Sequence, residues 1–282
     1  MSNIVNYSGY RLLDIEELHM MLLQTMKDIH QVCVKNKICY YLHAGSMLGA
    51  VRHKGFIPWD DDMDIVMPRN DFEHFKEIFN HSFEQEKYFL QHYGTDVDFR
   101  PASMHLCINN TIYDNPSERH LRNHKGIHID IFPLDNVPDG IKLRNKQARK
   151  IRRNSELISS KLYRNYKSNF VLVSLLRRFK HCILFFIPLS LLQKRRVKLM
   201  TKYDLINTKC VASMQSQYSY EKQTMRREIY GIPQMYEFEG VMFYGPEKYD
   251  DYLCHLYGKD YMELPPVEKR VVPLKSYIKN EE

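Results

Sequence analysis

Residues 40–72 read YYLHAGSMLGAVRHKGFIPWDDDMDIVMPRNDF, and the order of residue types in this stretch decides the fold. A β-prone run from Ile38 to Ala44 ends in Gly45-Ser46, and Met47 to Arg52 has the makings of a short helix. His53-Lys54-Gly55 breaks that helix. Beyond Pro58-Trp59, Met63, Ile65 and Met67 alternate with Asp62, Asp64 and Val66 at the period of a strand. The predicted order is strand, glycine turn, helix, strand.

Outward from this block, Asp14 and Glu17 have the spacing of a capping box, and Ile15, Leu18, Leu22, Met26, Ile29 and Cys33 form the apolar stripe of a helix. Phe72, Phe75, Ile78 and Phe79 predict another helix. Residues 88–93, 104–108 and 111–113 read as strands, with Asn109-Asn110 as a hairpin turn. Ile127, Ile129 and Ile131 alternate with His128 and Asp130 in a further strand that Pro133 is expected to stop. The fold class is α/β (α+β), a mixed sheet flanked by helices. Residues 1–140 form the core with its N-terminal helix. Residues 141–227 turn basic and helical, with no glycine between Gly140 and Gly231, and residues 228–282 form an aromatic-rich extension completing the site.

At 282 residues and 44% hydrophobic, the chain can bury a sizeable core. It opens without a signal-peptide pattern, so a cytoplasmic protein is expected. Its six cysteines have no CxxC pairing, which argues against structural zinc and disulfides and for reduced thiols. The net charge of +7 gathers around Lys142, Arg144, Lys146, Arg149, Lys150, Arg152 and Arg153, and an anionic partner follows. With 34 acidic residues and no nucleic-acid-binding motif, the partner is expected to be a phospholipid surface or polyphosphate polymer, not nucleic acid. Residues 170–192 are apolar but interrupted by Arg177, Arg178, Lys180 and His181. Only Cys182 to Leu192 is left uncharged, too short for a membrane span of about 20 apolar residues. Two readings stand: a helix peripheral on the inner face of the membrane, or a hairpin packed on the core.

The chemistry lies in the acids. Residues two apart on a strand share a face about 7 Å apart, so Asp62 and Asp64 aim at one point. Their repulsion is relieved by a hard cation such as Mg²⁺ or Mn²⁺, commonly held by one or two carboxylates plus substrate phosphate. Asp60 shares their parity and is a further ligand candidate. Gly45-Ser46, between strand and helix, offers backbone N–H groups to phosphate. Asp130, flanked by Ile129 and Ile131, has no structural purpose unless it faces a site. The bland readings are a solvated acidic turn for WDDDMD and an edge-strand position for Asp130.

Together, Ala44-Gly45-Ser46, Asp62-Met63-Asp64-Ile65 and Ile129-Asp130-Ile131 resemble the hG[GS], DhDh and h[DE]h pattern of the DNA-polymerase-β-like nucleotidyltransferase superfamily. More specifically, residues 40–72 resemble the signature block of the LicD family of phosphocholine transferases, related to fukutin and fukutin-related protein. The resemblance continues in GIHIDIFPLD (126–135) and across residues 236–270. It departs at His105 and Cys107, where family members often carry basic residues, and in VVPLKSY after Arg270, which lacks an expected histidine.

The resemblance implies metal-dependent transfer of phosphocholine from CDP-choline to a sugar hydroxyl of a cell-surface glycan, such as a teichoic-acid or lipopolysaccharide precursor, or to a lipid-linked acceptor. Asp62, Asp64 and Asp130 would be catalytic and hold the metal; Gly45 and Ser46 would hold phosphate oxygens, and Arg52, His53 or Lys54 would supply positive charge. His128 shares a face with Asp130. Trp59, with Tyr40, Tyr41 or Tyr244, is a candidate cage for a quaternary ammonium, against the plainer reading of aromatic packing. The alternatives are transfer of glycerol or ribitol phosphate from another CDP-alcohol, and a non-catalytic nucleotide-binding protein.

Overall fold

The computed structural model describes residues 7–162, 182–214, 218–270 and 272–280. Helix α1 (Ile15–Asn36) starts at the predicted capping box: Asp14 accepts from the Glu17 N–H at 2.8 Å, and Glu17 accepts from the Asp14 N–H at 3.1 Å. Leu18, Leu22, Met26 and Ile29 are buried along one face, each worth about 1.5–3 kcal/mol in the hydrophobic effect. Strand β2 (Tyr41–Leu42) follows β1 (Tyr10–Leu12) in chain order and is shorter than the run from Ile38 predicts. Ala44 adopts φ +43°, its N–H held by the Tyr252 hydroxyl at 2.9 Å, and turns the chain into α2 (Ala44–Arg52). The helix therefore begins three residues before Met47 and takes Gly45 and Ser46 into its first turn.

The remaining core elements are β3 (Asp64–Pro68), α3 (Arg69–Ser82), β4 (Tyr88–Gln91), β5 (Met104–Ile108), β6 (Thr111–Asp114) and β7 (His128–Val137). The main sheet runs β2-β3-β7-β5-β4, with β3 and β7 parallel and the other neighbours in this order antiparallel. This mixed sheet, flanked by helices, is the expected fold class. Two local expectations change. Asn109-Asn110 does not close a hairpin, because the Ile108 N–H bonds to Ile127 and Thr111 caps Ile108, so β6 leaves the sheet. It pairs instead with β12 (Lys275–Lys279), which also pairs with β1. Nor does Pro133 end β7. It sits between the stretch paired with β5, through Ile131, and the stretch paired with β8 (Cys210–Ala212), from Asp135, where no antiparallel neighbour needs its missing N–H.

The basic middle is not helical throughout. Between α4 (Ile141–Leu162), α5 (Leu189–Met200) and α6 (Arg227–Tyr230) it contributes β8 and β9 (Thr224–Arg226), which extend the sheet from β7. Of the apolar segment 170–192, residues 170–181 lie outside the described residues; Leu184 and Leu192 pack against Ile158 of α4, while Phe185 and Phe186 are exposed. Among the described residues no helix is long and apolar enough to cross a membrane. The tail adds the hairpin β10 (Gln234–Phe238) and β11 (Val241–Gly245), helix α7 (Tyr249–Tyr257) and β12. All six cysteines are free.

One buried ion pair locks the parallel strands. Arg69, the first residue after β3, donates through Nε and Nη2 to the two oxygens of Asp135 on β7 at 2.6 and 2.8 Å. Asp135 is fully buried and Arg69 nearly so. Removing one partner strands a charge in the core. Asp135→Ala is expected to cost about 3–5 kcal/mol of unfolding free energy in a urea melt, and a loss below about 1 kcal/mol would reduce the pair to an ordinary surface contact.

Candidate active site

The parallel register of β3 and β7 sets Asp64 directly beside Asp130, with Ile65 and Ile131 next along. Asp62 precedes β3, in the loop that carries the acidic run, so strand alternation does not aim it as expected. The loop does so instead: Asp60, Asp61 and Asp62 bring carboxylate oxygens within 4.8 Å of one another. Asp61 is the structural member. It is buried and accepts from the Tyr113 hydroxyl at 3.2 Å and the Leu274 N–H, tying the C-terminal segment to the loop.

Asp62 lies where two clefts meet. One, of about 460 Å³, is lined by Gly45, Arg52, Trp59, Asp60 and Asp64 together with Tyr257 and Tyr261 from the tail. The other, of about 200 Å³, contains His105, Tyr113, His128 and Asp130. The surrounding protein and the like charges of Asp60, Asp130 and Asp61 push the Asp62 carboxyl well up, although it keeps solvent access at the cleft mouth. Burial, with the charges of Asp62, Asp130 and Asp60, does the same to Asp64. Asp60 is raised to about 6 by burial and Asp61. Carboxylates that hold each other's protons on are a set that a divalent cation would satisfy, so the residues fit a metal.

Asp130 behaves oppositely. Burial would raise its pKa, but the charge and hydrogen bond of His105, with His128 and His43 behind them, bring it below the ordinary carboxylate value. His105 Nε2 lies 2.7 Å from Asp130 Oδ1, and its Nδ1 lies 3.1 Å from Gln91 Oε1. The Gln91 amide nitrogen is taken by Asp96 and the His124 carbonyl, so Oε1 only accepts. Both His105 nitrogens therefore face acceptors, and the ring bridges Gln91 to Asp130. His128 stacks on His105 at 4.1 Å, with the planes 4° apart. Burial and the charge of His105 lower it to about 4, and Nδ1–H donates to the Gly126 carbonyl, leaving Nε2 bare 4.0 Å from Asp130 Oδ2. Cys107 is fully buried against Gln91, its thiol pushed up by burial and by Asp130. His105 and Cys107 thus stand behind Asp130. Periodicity had no means of finding the His105 contact, because it depends on the antiparallel register of β5 with β7.

The other predicted residues divide. A methyl at Gly45 would come within 2.9 Å of the Asp60 carboxylate, so glycine lets that side chain close on α2 without shifting. Ser46 Oγ accepts the Asp64 N–H at 2.8 Å and its own N–H bonds to His43, so it positions Asp64 within the chain. Arg52 donates to the carbonyls of Tyr261 and Glu263 at 3.0 and 3.1 Å, holding the tail over the larger cleft. His53 meets the edge of Trp59, and Lys54 is exposed; neither lines a cleft beside the acids. Tyr40 and Tyr41 are buried, and Tyr244 packs on Tyr40 and His30, so none stands beside Trp59. The tyrosines sharing its cleft are Tyr218, Tyr257 and Tyr261, and Arg270 lies over its ring at 4.1 Å.

Residues 37–156 match the family described as LicD/FKTN/FKRP, nucleotidyltransferase domain. The lipopolysaccharide cholinephosphotransferase LicD of Haemophilus influenzae is 30% identical over 263 residues, 91% of this chain and 94% of that protein. The chain belongs to the LicD family. It is a transferase of that family, and the matched segment carries Asp62, Asp64 and Asp130. Two uncharacterized proteins, from Rickettsia typhi and Rickettsia prowazekii, are 44% identical over 77 residues and 48% over 67, about a quarter of each chain.

Protons and an added divalent cation would compete for the acids of this LicD site. Asp60, with its pKa near 6, is mostly protonated at pH 5 and ionised at pH 7.5, and the raised Asp62 and Asp64 act in the same direction. The melting-temperature gain from added Mg²⁺ should therefore be larger at pH 7.5 than at pH 5, and absent in Asp64→Asn. A gain that is equal at both pH values, or kept by the variant, would put the cation elsewhere.

Proposed function

We propose that the chain transfers phosphocholine from CDP-choline to a hydroxyl of a lipopolysaccharide or related surface glycan. The observation that carries this reading is the convergence of Asp62, Asp64 and Asp130 at the junction of two clefts, in a chain that matches a lipopolysaccharide cholinephosphotransferase over nearly its whole length. The larger cleft has the volume and the aromatic and acidic walls for the donor. The smaller one brings an acceptor hydroxyl to Asp130.

Mg²⁺ or Mn²⁺ held by Asp62, Asp64 and Asp130 would neutralise the donor diphosphate and the departing CMP. Asp130, kept ionised by His105, orients the acceptor hydroxyl and takes its proton as the oxygen attacks in line on the phosphorus next to choline. The bond to the CMP oxygen breaks as the new phosphodiester forms. Trp59, Tyr257 and Tyr261 line the donor cleft and exclude water from the head group.

A second reading has a specific observation behind it. Arg270 covers the Trp59 ring, the face a choline cation would need, and a guanidinium suits a polyol or phosphate better than a quaternary ammonium. Transfer of glycerol or ribitol phosphate is the corresponding alternative. If choline displaces Arg270 from the ring, Trp59→Ala should weaken CDP-choline by about 1–2 kcal/mol and leave CMP binding nearly unchanged in calorimetry. Equal losses for both ligands would reduce Trp59 to packing.

Asp62→Asn and Asp64→Asn each remove a carboxylate while keeping its shape. Both are expected to lower transfer at least about a thousandfold with an unchanged or raised melting temperature, since they also remove like-charge repulsion. Turnover near that of the unsubstituted enzyme in either variant would overturn the assignment.

A further inference from the structure

A separate cavity, of about 1150 Å³, lies between α4, α5 and the chain around Tyr220. Its walls carry Arg100, Lys142, Arg149, Arg152 and Arg196, opposed among the described residues by one carboxylate, Glu221. Lys142, Arg149 and Arg152 follow one another at seven and three residues on α4, which places them on one helical face. Arg196 is only 2% exposed and donates to the Arg100 carbonyl at 2.6 Å. Burial and the like charge of Arg100 pull its pKa down to about 10, a strain that a bound anion relieves. Ser155 Oγ, also in the wall, is buried and has no hydrogen-bond partner among the described residues. Guanidinium forks with a hydroxyl are the donor set for phosphate oxygens, and the cation excess calls for more than one phosphate.

Two wall segments run directly into the catalytic centre. Arg100 follows Phe99, whose ring meets His105 edge-on at 4.7 Å, and His105 holds Asp130. Gln193 and Arg196 of α5 anchor this segment by donating to the Phe99 and Arg100 carbonyls. On the other side, Ser219 and Tyr220 follow Tyr218, which lines the donor cleft. The walls of the basic cavity are therefore continuous in the chain with residues that touch the acidic site.

We propose that this cavity binds closely spaced phosphate groups on the acceptor, so that the acceptor is a phosphorylated glycan or glycolipid. The inference rests on the transfer reading for the word acceptor, while the phosphate site itself stands or falls by direct binding. The test uses the full chain in EDTA, which silences metal-dependent phosphate binding at Asp62 and Asp64. Calorimetry with inorganic pyrophosphate compares the unsubstituted protein with Arg149→Glu/Arg152→Glu and with Lys150→Glu/Arg153→Glu, an equal charge change on exposed α4 residues outside the cavity wall.

The cavity variant should lose at least about tenfold in pyrophosphate affinity, and the control less than about twofold. In the transfer assay the acceptor KM should rise in the cavity variant alone, with the donor KM unchanged. Cosedimentation with phosphatidylglycerol vesicles distinguishes the sources. A parallel loss there assigns the phosphate to a bilayer headgroup and overturns the acceptor assignment, whereas unchanged vesicle binding supports the acceptor glycan. Equal losses in the two variants would show net charge at work, and absent pyrophosphate binding by the unsubstituted protein would overturn the site outright. Pyrophosphate binding intact in a protein without transferase activity would reject the transfer reading and leave the phosphate site standing.

Discussion

The parallel pairing of β3 with β7 is the constraint on which the site depends. Register is all-or-none: a slip of one residue would turn Asp64 or Asp130 to the opposite face and bury a carboxylate in the apolar layer of Ile65, Ile129 and Ile131. The acidic end carries repulsion, since burial and its neighbours push Asp64 up. The other end supplies the compensation. Five residues on from each acid, Arg69 and Asp135 form a buried two-pronged ion pair in the same register. Attraction at one end of the strand pair offsets repulsion at the other, and the geometry that strains the acids is the one a cation would use.

Around that pair, the remaining elements act by contact with the acids. The Ser46 hydroxyl receives the Asp64 N–H, Gly45 lets the Asp60 carboxylate approach α2, and β5 delivers His105 to Asp130. Asp61 binds the C-terminal segment at Leu274, and Arg52 binds it at Tyr261 and Glu263. The tail is thereby a wall of the larger acidic cleft, although it lies some two hundred residues from the acidic loop in sequence.

Local pattern made the scaffold legible. Asp14 with Glu17 announced α1, the phenylalanine stripe announced α3, and the alternation around Asp64 and Asp130 announced two strands. What local pattern lacks is pairing. The Asn109-Asn110 turn looked like a hairpin because both flanks are β-prone, yet Ile127 takes the hydrogen bond that a hairpin would need. Tyr40, Tyr41 and Tyr244 were cage candidates for their aromatic faces alone, but the core takes up the first two, Tyr244 packs on Tyr40, and the tail sets Tyr257 and Tyr261 in the cleft of Trp59. His105 was noticed only as a departure from a family pattern. Its place beside Asp130 comes from strand register, and the ion pair of Arg69 with Asp135 joins residues 66 positions apart that no periodicity connects.

The central claim is that this site moves phosphocholine from CDP-choline, and the most direct measurement is the mass of a phosphorylated lipopolysaccharide core glycan incubated with the enzyme, Mg²⁺ and one donor at a time. The account predicts a gain of one phosphocholine group from CDP-choline, with one CMP released per glycan modified. A glycan left unchanged by CDP-choline but modified by CDP-glycerol or CDP-ribitol would contradict it.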